Sequence, residues 1–157
     1  MGLTYIQASI ANPARPRRTA RVKFLVDSGA IYSVVPASLL RRLGIKPSKT
    51  RTFLLADGTE IKRPVGEALF RINGDEGTSP VIFGEAGDSA LLGSVSLEVL
   101  GFMLDPFKRE LRPLPMPLAA RHSQIANPKF SEPPADVKTD HTHGRFSGNH
   151  PATSHLG

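Results

Sequence analysis

An aspartate that directly follows an apolar strand is the residue of this chain best placed to do chemistry. Residues 21–26 place apolar side chains at every second position, which is typical of a half-buried β-strand ending at Asp27. Ser28 can hydrogen-bond locally and Gly29 lets the backbone turn, so the carboxylate is presented rather than hidden. A carboxylate held in this way can act as a general acid or base. Taken alone, Asp-Ser-Gly also fits a solvent-facing turn between two strands.

The elements that follow this turn are short. An apolar run over residues 30–35 leads to Pro36, which suits the first turn of a helix, and Gly44 is a good terminator for that helix. Further on, Asp57-Gly58 is the strongest hairpin signal in the chain, with apolar residues before it and a polar strand after it.

The pattern continues to about residue 118. Leu91, Leu92 and Gly93 precede a second short helix that ends at Gly101. Many short strands separated by glycine turns, with two brief helices, predict a mostly-β, barrel-like domain over residues 1–118. Residues 119–157 are rich in Ser, Thr, Pro, Asn and His and are predicted to form a disordered tail. The spacing of the tail histidines fits no metal site, so no metal or other cofactor is predicted.

Composition excludes several other classes. The chain of 157 residues contains no cysteine, so neither a disulfide framework nor a thiolate metal site is expected. No apolar stretch is long enough to span a membrane and no signal peptide is visible, which predicts a cytoplasmic protein with no membrane partner.

The basic balance raises nucleic acid as a partner. Twenty Lys and Arg stand against fourteen Asp and Glu, with the densest group at residues 15–23. No aromatic residues are interleaved there to stack bases, and no known DNA-binding pattern carries the charges. We therefore interpret this group as a solvated loop between two strands, with no nucleic acid bound.

The run D-S-G-A-x-x-S-V-V-P, the hairpin at Asp57-Gly58 and the later L-L-G resemble, in their order, the signature of the retroviral-type aspartic proteases, the retropepsins. The likeness is greatest to small, single-domain bacterial members and covers nearly all of residues 1–118. It implies a closed β-barrel with two short helices and a flap hairpin.

The resemblance also implies a role for individual residues. Asp27 would be the catalytic carboxylate, supported by its loop neighbours Ser28, Gly29 and Ala30, with the Ser28 hydroxyl bracing the loop of a partner copy. Leu91, Leu92 and Gly93 would pack against that loop. The flap residues that would close over a bound peptide are Ala56, Asp57, Gly58 and Thr59.

This chemistry constrains the assembly. Hydrolysis of a peptide bond by carboxylates alone needs two of them, one ionised and one protonated, and the two share a proton when held about 3 Å apart. The chain offers one Asp-Ser-Gly and no internal repeat. The second carboxylate would then be Asp27 of another copy across a twofold axis.

Three functions remain open on the sequence. The first is an aspartic endopeptidase that hydrolyses peptide or protein substrates as a homodimer. The second is a proteolytically silent dimeric module on the same fold, which binds peptides or partners without turnover. The third is a nucleic-acid-binding β-barrel, in which binding would depend on salt and on the arginines near residue 15.

Overall fold

The computed structural model of the chain describes residues 2–116. Strands make up most of this part, so the prediction of a mostly-β fold is confirmed. The strands are β1 (Tyr5–Asn12), β2 (Arg15–Val26), β3 (Ser33–Pro36), β4 (Lys49–Leu54), β5 (Glu60–Ile72), β6 (Asp75–Gly84), β7 (Leu91–Leu92), β8 (Phe102–Asp105) and β9 (Glu110–Pro113). The helices are α1 (Ala37–Arg42) and α2 (Ser94–Leu100).

One sheet carries the candidate site. Its order is β1-β2-β7-β3-β6-β5-β4, and β1 also pairs with β5. The short strand β7 lies between β2 and β3, parallel to the first through Leu25 and Leu91 and antiparallel to the second through Val34 and Leu91. Because β2 and β3 are consecutive in the chain, the turn that joins them, with Asp27, emerges beside the end of β7.

The hydrophobic core is formed by the apolar side chains that alternate along the strands and point to one face of the sheet. Phe24 and Phe70 are fully buried, with their ring centroids 5.9 Å apart. Other fully buried side chains come from β1, β3, β6, α1 and β7: Ile10, Val35, Phe83, Leu40 and Leu92. The alternation read at the end of β2 is therefore the pattern of a core-facing strand.

Both predicted helices are present. Leu43 caps α1 and is followed by Gly44, which has a positive φ of 77°, and Gly101 caps α2 with a φ of 78° in the left-handed region. Glycine takes this backbone conformation without the penalty that a Cβ brings, which is why it stops a helix cleanly.

The prediction of an arginine-rich loop before residue 21 is wrong. β2 begins at Arg15 and pairs with β1, and its pairing is irregular between Ala11, which faces Thr19, and Asn12, which faces Arg15. The residues between Arg15 and Thr19 form a bulge in a strand, where Pro16 needs no ladder partner. The basic side chains nevertheless lie largely on the exposed surface, as expected.

A tight turn and a small second sheet complete the fold. Asn73 and Gly74 alone form the turn between β5 and β6, both with positive φ (50° and 86°), so β6 begins at Asp75. The last strand, β9, pairs with β8 as a separate two-stranded sheet.

Within residues 2–116, no helix has the length and apolar character needed to cross a membrane. The predicted tail over residues 119–157 lies outside the described residues, and so do the histidines considered for metal binding.

Candidate active site

The backbone around Asp27 is fixed on both sides. The amide of Asp27 donates to the carbonyl of Leu92 at 3.0 Å, and the amide of Val26 donates to the carbonyl of Thr4 at 2.8 Å. The end of β2 is therefore held between β7 and the segment that enters β1. The Asp27 side chain itself is only half-buried, so the carboxylate is at a surface.

The Asp27 carboxylate shapes the turn that follows it. The amide of Gly29 donates to Asp27 Oδ1 at 2.9 Å, and the amide of Ala30 donates to the Asp27 carbonyl at 3.2 Å. A Cβ on Gly29 would lie 3.2 Å from the same Oδ1 atom, so glycine leaves room for this close approach. Oδ2 accepts no hydrogen bond from residues 2–116, and the exposed Ser28 follows on the outside of the turn.

The second predicted motif packs against this loop. The first amides of α2 donate to loop carbonyls, Ser94 to Ala30 at 2.8 Å and Val95 to Ile31 at 3.1 Å. A Cβ on Gly93 would lie 2.7 Å from the carbonyl carbon of Tyr32, a separation that real structures do not show. The structure thus brings Leu91, Leu92 and Gly93 together with residues 27–32, and only glycine fits at position 93.

A buried chain of hydroxyl groups, which the sequence reading missed, lies behind the loop. The amide of Gly93 donates to Ser33 Oγ at 2.9 Å, and Ser96 Oγ lies 2.6 Å from Ser33 Oγ and 2.7 Å from Ser79 Oγ. All three serines are at most 1% exposed. The signal available in the sequence was weak: Ser33 and Ser96 lie among apolar residues, where a polar side chain needs a buried partner, whereas Ser79 follows a polar turn.

The predicted flap is a hairpin of β4 and β5. The amide of Gly58 donates to the carbonyl of Leu55 at 2.9 Å, and Gly58 has a φ of 85°. This geometry is a three-residue loop that ends in a left-handed glycine. The amide of Thr59 donates to Asp57 Oδ1 at 2.8 Å. This hydrogen bond is the main cause that lowers the pKa of the Asp57 carboxyl.

A cleft of about 600 Å³ lies between this hairpin and the loop after Asp27. Its wall includes Gly29 and Ala30 of the loop, and Phe53 and Leu55 of the hairpin. Tyr32 and Phe53 meet edge to face across it, with ring centroids 6.1 Å apart. The tip residues Ala56, Asp57, Gly58 and Thr59 are exposed and do not line this cleft, whose hairpin wall is formed by residues 51–55, 61 and 63 instead.

Charged side chains line the part of the cleft that is furthest from the hairpin tip. Arg63 is mostly buried and forms ion pairs with Glu85 at 3.2 Å and Asp88 at 3.6 Å. The Asp88 carboxylate also accepts the Glu85 amide at 2.7 Å, which fixes its position. Arg51 lies directly opposite Arg63 in the β4–β5 ladder, with its guanidinium carbon 5.9 Å from the centre of the Tyr32 ring.

Comparison with known proteins gives one family. The family model described as aspartyl protease matches residues 7–94, a span that includes both Asp27 and Gly93. This match confirms that the resemblance seen in the sequence is to aspartic proteases. A search of curated proteins gives no match.

Several solved structures are similar to this chain. A retropepsin-like aspartic protease from Rickettsia conorii is 24% identical, with a TM-score of 0.46, over 66% of this chain and 77% of that one. The protease of simian foamy virus is 22% identical, with a TM-score of 0.43, over 62% and 92%. The retroviral protease-like domain of Ddi1 from Leishmania major is 18% identical, with a TM-score of 0.46, over 72% and 89%.

Proposed function

This chain belongs to the aspartyl protease family, and we propose that it is an aspartic endopeptidase that works as a homodimer. The observation that carries the proposal is the presentation of Asp27: a half-buried carboxylate on a tight turn, beside a cleft large enough for peptide side chains and walled by a hairpin. Peptide or protein chains in extended form are the substrates that such a cleft suits.

The reaction requires two carboxyl groups with different protonation states. In the proposed dimer, the ionised Asp27 of one chain takes a proton from a water molecule, which attacks the carbonyl carbon of the scissile bond. The protonated Asp27 of the other chain donates to the carbonyl oxygen as negative charge develops there. As the C–N bond of the tetrahedral intermediate breaks, the proton taken from water passes to the leaving amine. The hydroxyl formed on the carbonyl oxygen returns its proton to the other Asp27 as the carbonyl re-forms, so the pair ends with one shared proton again.

The hydrogen bonding of Asp27 supports a second copy as the source of the other carboxyl. Within residues 2–116, the only hydrogen bond to its side chain comes from the Gly29 amide, and no ion pair involves it. Oδ2 is left to accept from a partner or from water. A twofold axis next to this turn would bring two such oxygens together.

Apolar surface near the cleft supports the same arrangement. Ile31 on the loop is 67% exposed and Leu54 on the hairpin is 72% exposed, so both lips of the cleft present large apolar side chains to solvent. Burial by a peptide and by a second chain would remove this surface from water. The pairing of β1 with both β2 and β5 supports the closed barrel on which such a dimer would be built.

The remaining site residues are assigned supporting roles. Ser28 is exposed next to Asp27, where its hydroxyl can reach the loop of a partner. The Gly29 amide holds the Asp27 carboxylate, and the Ala30 amide holds the backbone carbonyl of Asp27. Residues 56–59, exposed at the tip of the hairpin, would close over the peptide and exclude water. Leu91, Leu92 and Gly93 keep the loop in place.

Cleavage of an unfolded-protein mixture at pH 4–7 tests the proposal. Asp27→Asn should abolish cleavage without changing the fold. The control Asp75→Asn, at a turn on a different hairpin, should leave cleavage unchanged. Titrating Asp27→Asn chains into a fixed amount of wild type tests the shared pair. At equal amounts, random mixing should lower the activity to about half, because mixed dimers hold one working carboxylate.

Two results would count against the proposal in different ways. Wild-type activity that is unaffected by added Asp27→Asn chains would exclude a carboxylate pair shared between copies. Absence of cleavage by the wild type, together with self-association and peptide binding, would instead favour the silent binding module.

A further inference from the structure

The cleft wall formed by the flap hairpin consists of two cross-strand pairs of different character. Phe53 faces Ile61 in the β4–β5 ladder, and two residues further from the tip Arg51 faces Arg63. All four side chains line the cleft. An apolar pair near the tip is thus followed by a pair of cations.

Like charges directly opposite each other in a sheet repel, so each arginine needs compensation. Arg63 has it, because Glu85 and Asp88 both lie within ion-pair distance of its guanidinium. Arg51 has no carboxylate partner within residues 2–116. The Arg51 guanidinium instead lies over the ring of Tyr32, on the loop that follows Asp27.

We propose that Arg51 forms a subsite for an acidic side chain of the bound peptide, which deepens the proposed function and rests on it. The Tyr32 ring orients the guanidinium, and the carboxylates of Glu85 and Asp88 are engaged by Arg63 and by the Glu85 amide. Arg51 is therefore the cation of this wall that is free to pair with a ligand carboxylate.

The spacing of the two pairs predicts where the acid lies in the peptide. Alternate side chains of an extended peptide point to the same side, about 7 Å apart, which is also the separation of residues 51 and 53 along β4. A peptide residue with an apolar side chain would lie against Phe53 and Ile61. The acidic residue would come two positions further from the scissile bond, because Arg51 lies further from the flap tip.

The test compares cleavage sites in a mixture of proteome-derived peptides, identified by mass spectrometry, for wild type, Arg51→Gln, Arg51→Glu and Lys49→Gln. Lys49 is an exposed cation on the same strand and face, two residues beyond Arg51, and does not line the cleft. We expect wild type and Lys49→Gln to favour Asp or Glu over Asn or Gln about fivefold at the two positions, one on each side of the scissile bond, that the twofold axis places beside Arg51 of each chain, as a well-formed exposed ion pair allows. Arg51→Gln should remove the preference, and Arg51→Glu should transfer it to Lys and Arg.

Failure of this inference differs from failure of the proposed function. Cleavage by wild type without an acidic preference, or with one that Arg51→Glu leaves unchanged, would overturn the subsite while leaving the protease. If wild type cleaves nothing, the protease proposal fails, and the subsite is judged by binding. The probes are then two fluorescein-labelled decapeptide pools that differ only in having Glu or Gln two positions from a fixed Leu. Tighter binding of the Glu pool by wild type, reversed by Arg51→Glu, supports the subsite, and equal binding overturns it.

Discussion

Removal of one buried hydroxyl should loosen the loop that carries Asp27. Ser96→Ala deletes the central member of the chain that runs from the Gly93 amide through Ser33 and Ser96 to Ser79. Ser79 can also donate to the carbonyl of Pro80 at 3.3 Å. All three hydroxyls can therefore donate in one direction, each with an acceptor, and the chain is fully satisfied.

The size of the effect follows from what the substitution leaves behind. Ser96→Ala removes two hydrogen bonds, of 2.6 Å and 2.7 Å, and leaves the Ser33 hydroxyl proton buried with no acceptor. A net loss of about 1 kcal/mol for each of the two bonds and of about 1–3 kcal/mol for the orphaned buried group gives roughly 3–5 kcal/mol. For a domain of this size, the melting temperature should fall by on the order of 10 °C.

Thermal and urea unfolding at one fixed protein concentration measures this effect, since self-association would otherwise shift the transition. Ser94→Ala is the matched control, because Ser94 lies on the same helix and its side chain makes no recorded hydrogen bond within residues 2–116. We expect the control to change stability by less than about 0.5 kcal/mol. The double variant Ser33→Ala/Ser96→Ala should cost less than the sum of its parts, because both single changes break the same contact.

Equal unfolding temperatures for Ser96→Ala and Ser94→Ala, or strict additivity in the double variant, would show that the hydroxyl chain does not hold this loop. Where Ser96→Ala does not yield folded protein, Ser79→Ala serves in its place, because it removes the end of the chain and leaves the Ser33–Ser96 contact intact.

Three further predictions concern the loop and the flap. Gly93→Ala should destabilise the domain by about 2 kcal/mol or more, because its Cβ would lie 2.7 Å from the Tyr32 backbone, and urea unfolding measures this. The pKa of the Asp57 carboxyl, measured by carbon NMR titration, should lie below the usual value of an aspartate, because hydrogen bonds from Thr59 lower it. The contribution of this turn to stability is therefore present above the unfolded-state pKa and is lost as pH falls through the lowered pKa, with faster exchange of the Thr59 amide. Phe53→Ala removes the edge-to-face contact with Tyr32. It should speed amide hydrogen exchange along β4 and raise KM more than it lowers kcat. Unchanged exchange would show that this contact does not hold the hairpin.

The local features of the site were predictable because short-range chemistry determines them. A turn of Asp-Ser-Gly at the end of an alternating strand needs only neighbouring residues, and the structure closes it through the Gly29 amide and the Asp27 side chain. The same holds for the glycines that end both helices and for Gly58 at the hairpin tip, each in the left-handed region where glycine alone is unstrained.

The features that could not be read depend on residues far apart in the sequence. Ser33 and Ser96 are 63 residues apart and touch because β7 returns between β2 and β3 and α2 begins directly after it. The extent of β2 was misjudged for a similar reason. Prolines and arginines argue against a strand locally, but pairing with β1 supplies the partner that local propensity lacks.

The insertion of β7 between β2 and β3 links stability to the proposed chemistry. Leu92 accepts the Asp27 amide, and the next residues of the same segment donate to the carbonyls of Ala30 and Ile31. A two-residue strand gains little from its own ladder, so the segment relies on the buried serines and on the contact at Gly93 to stay in place. Substitutions behind the loop should therefore lower stability and catalytic rate together, whereas substitutions at Arg51 should change which peptides bind and leave stability as it is.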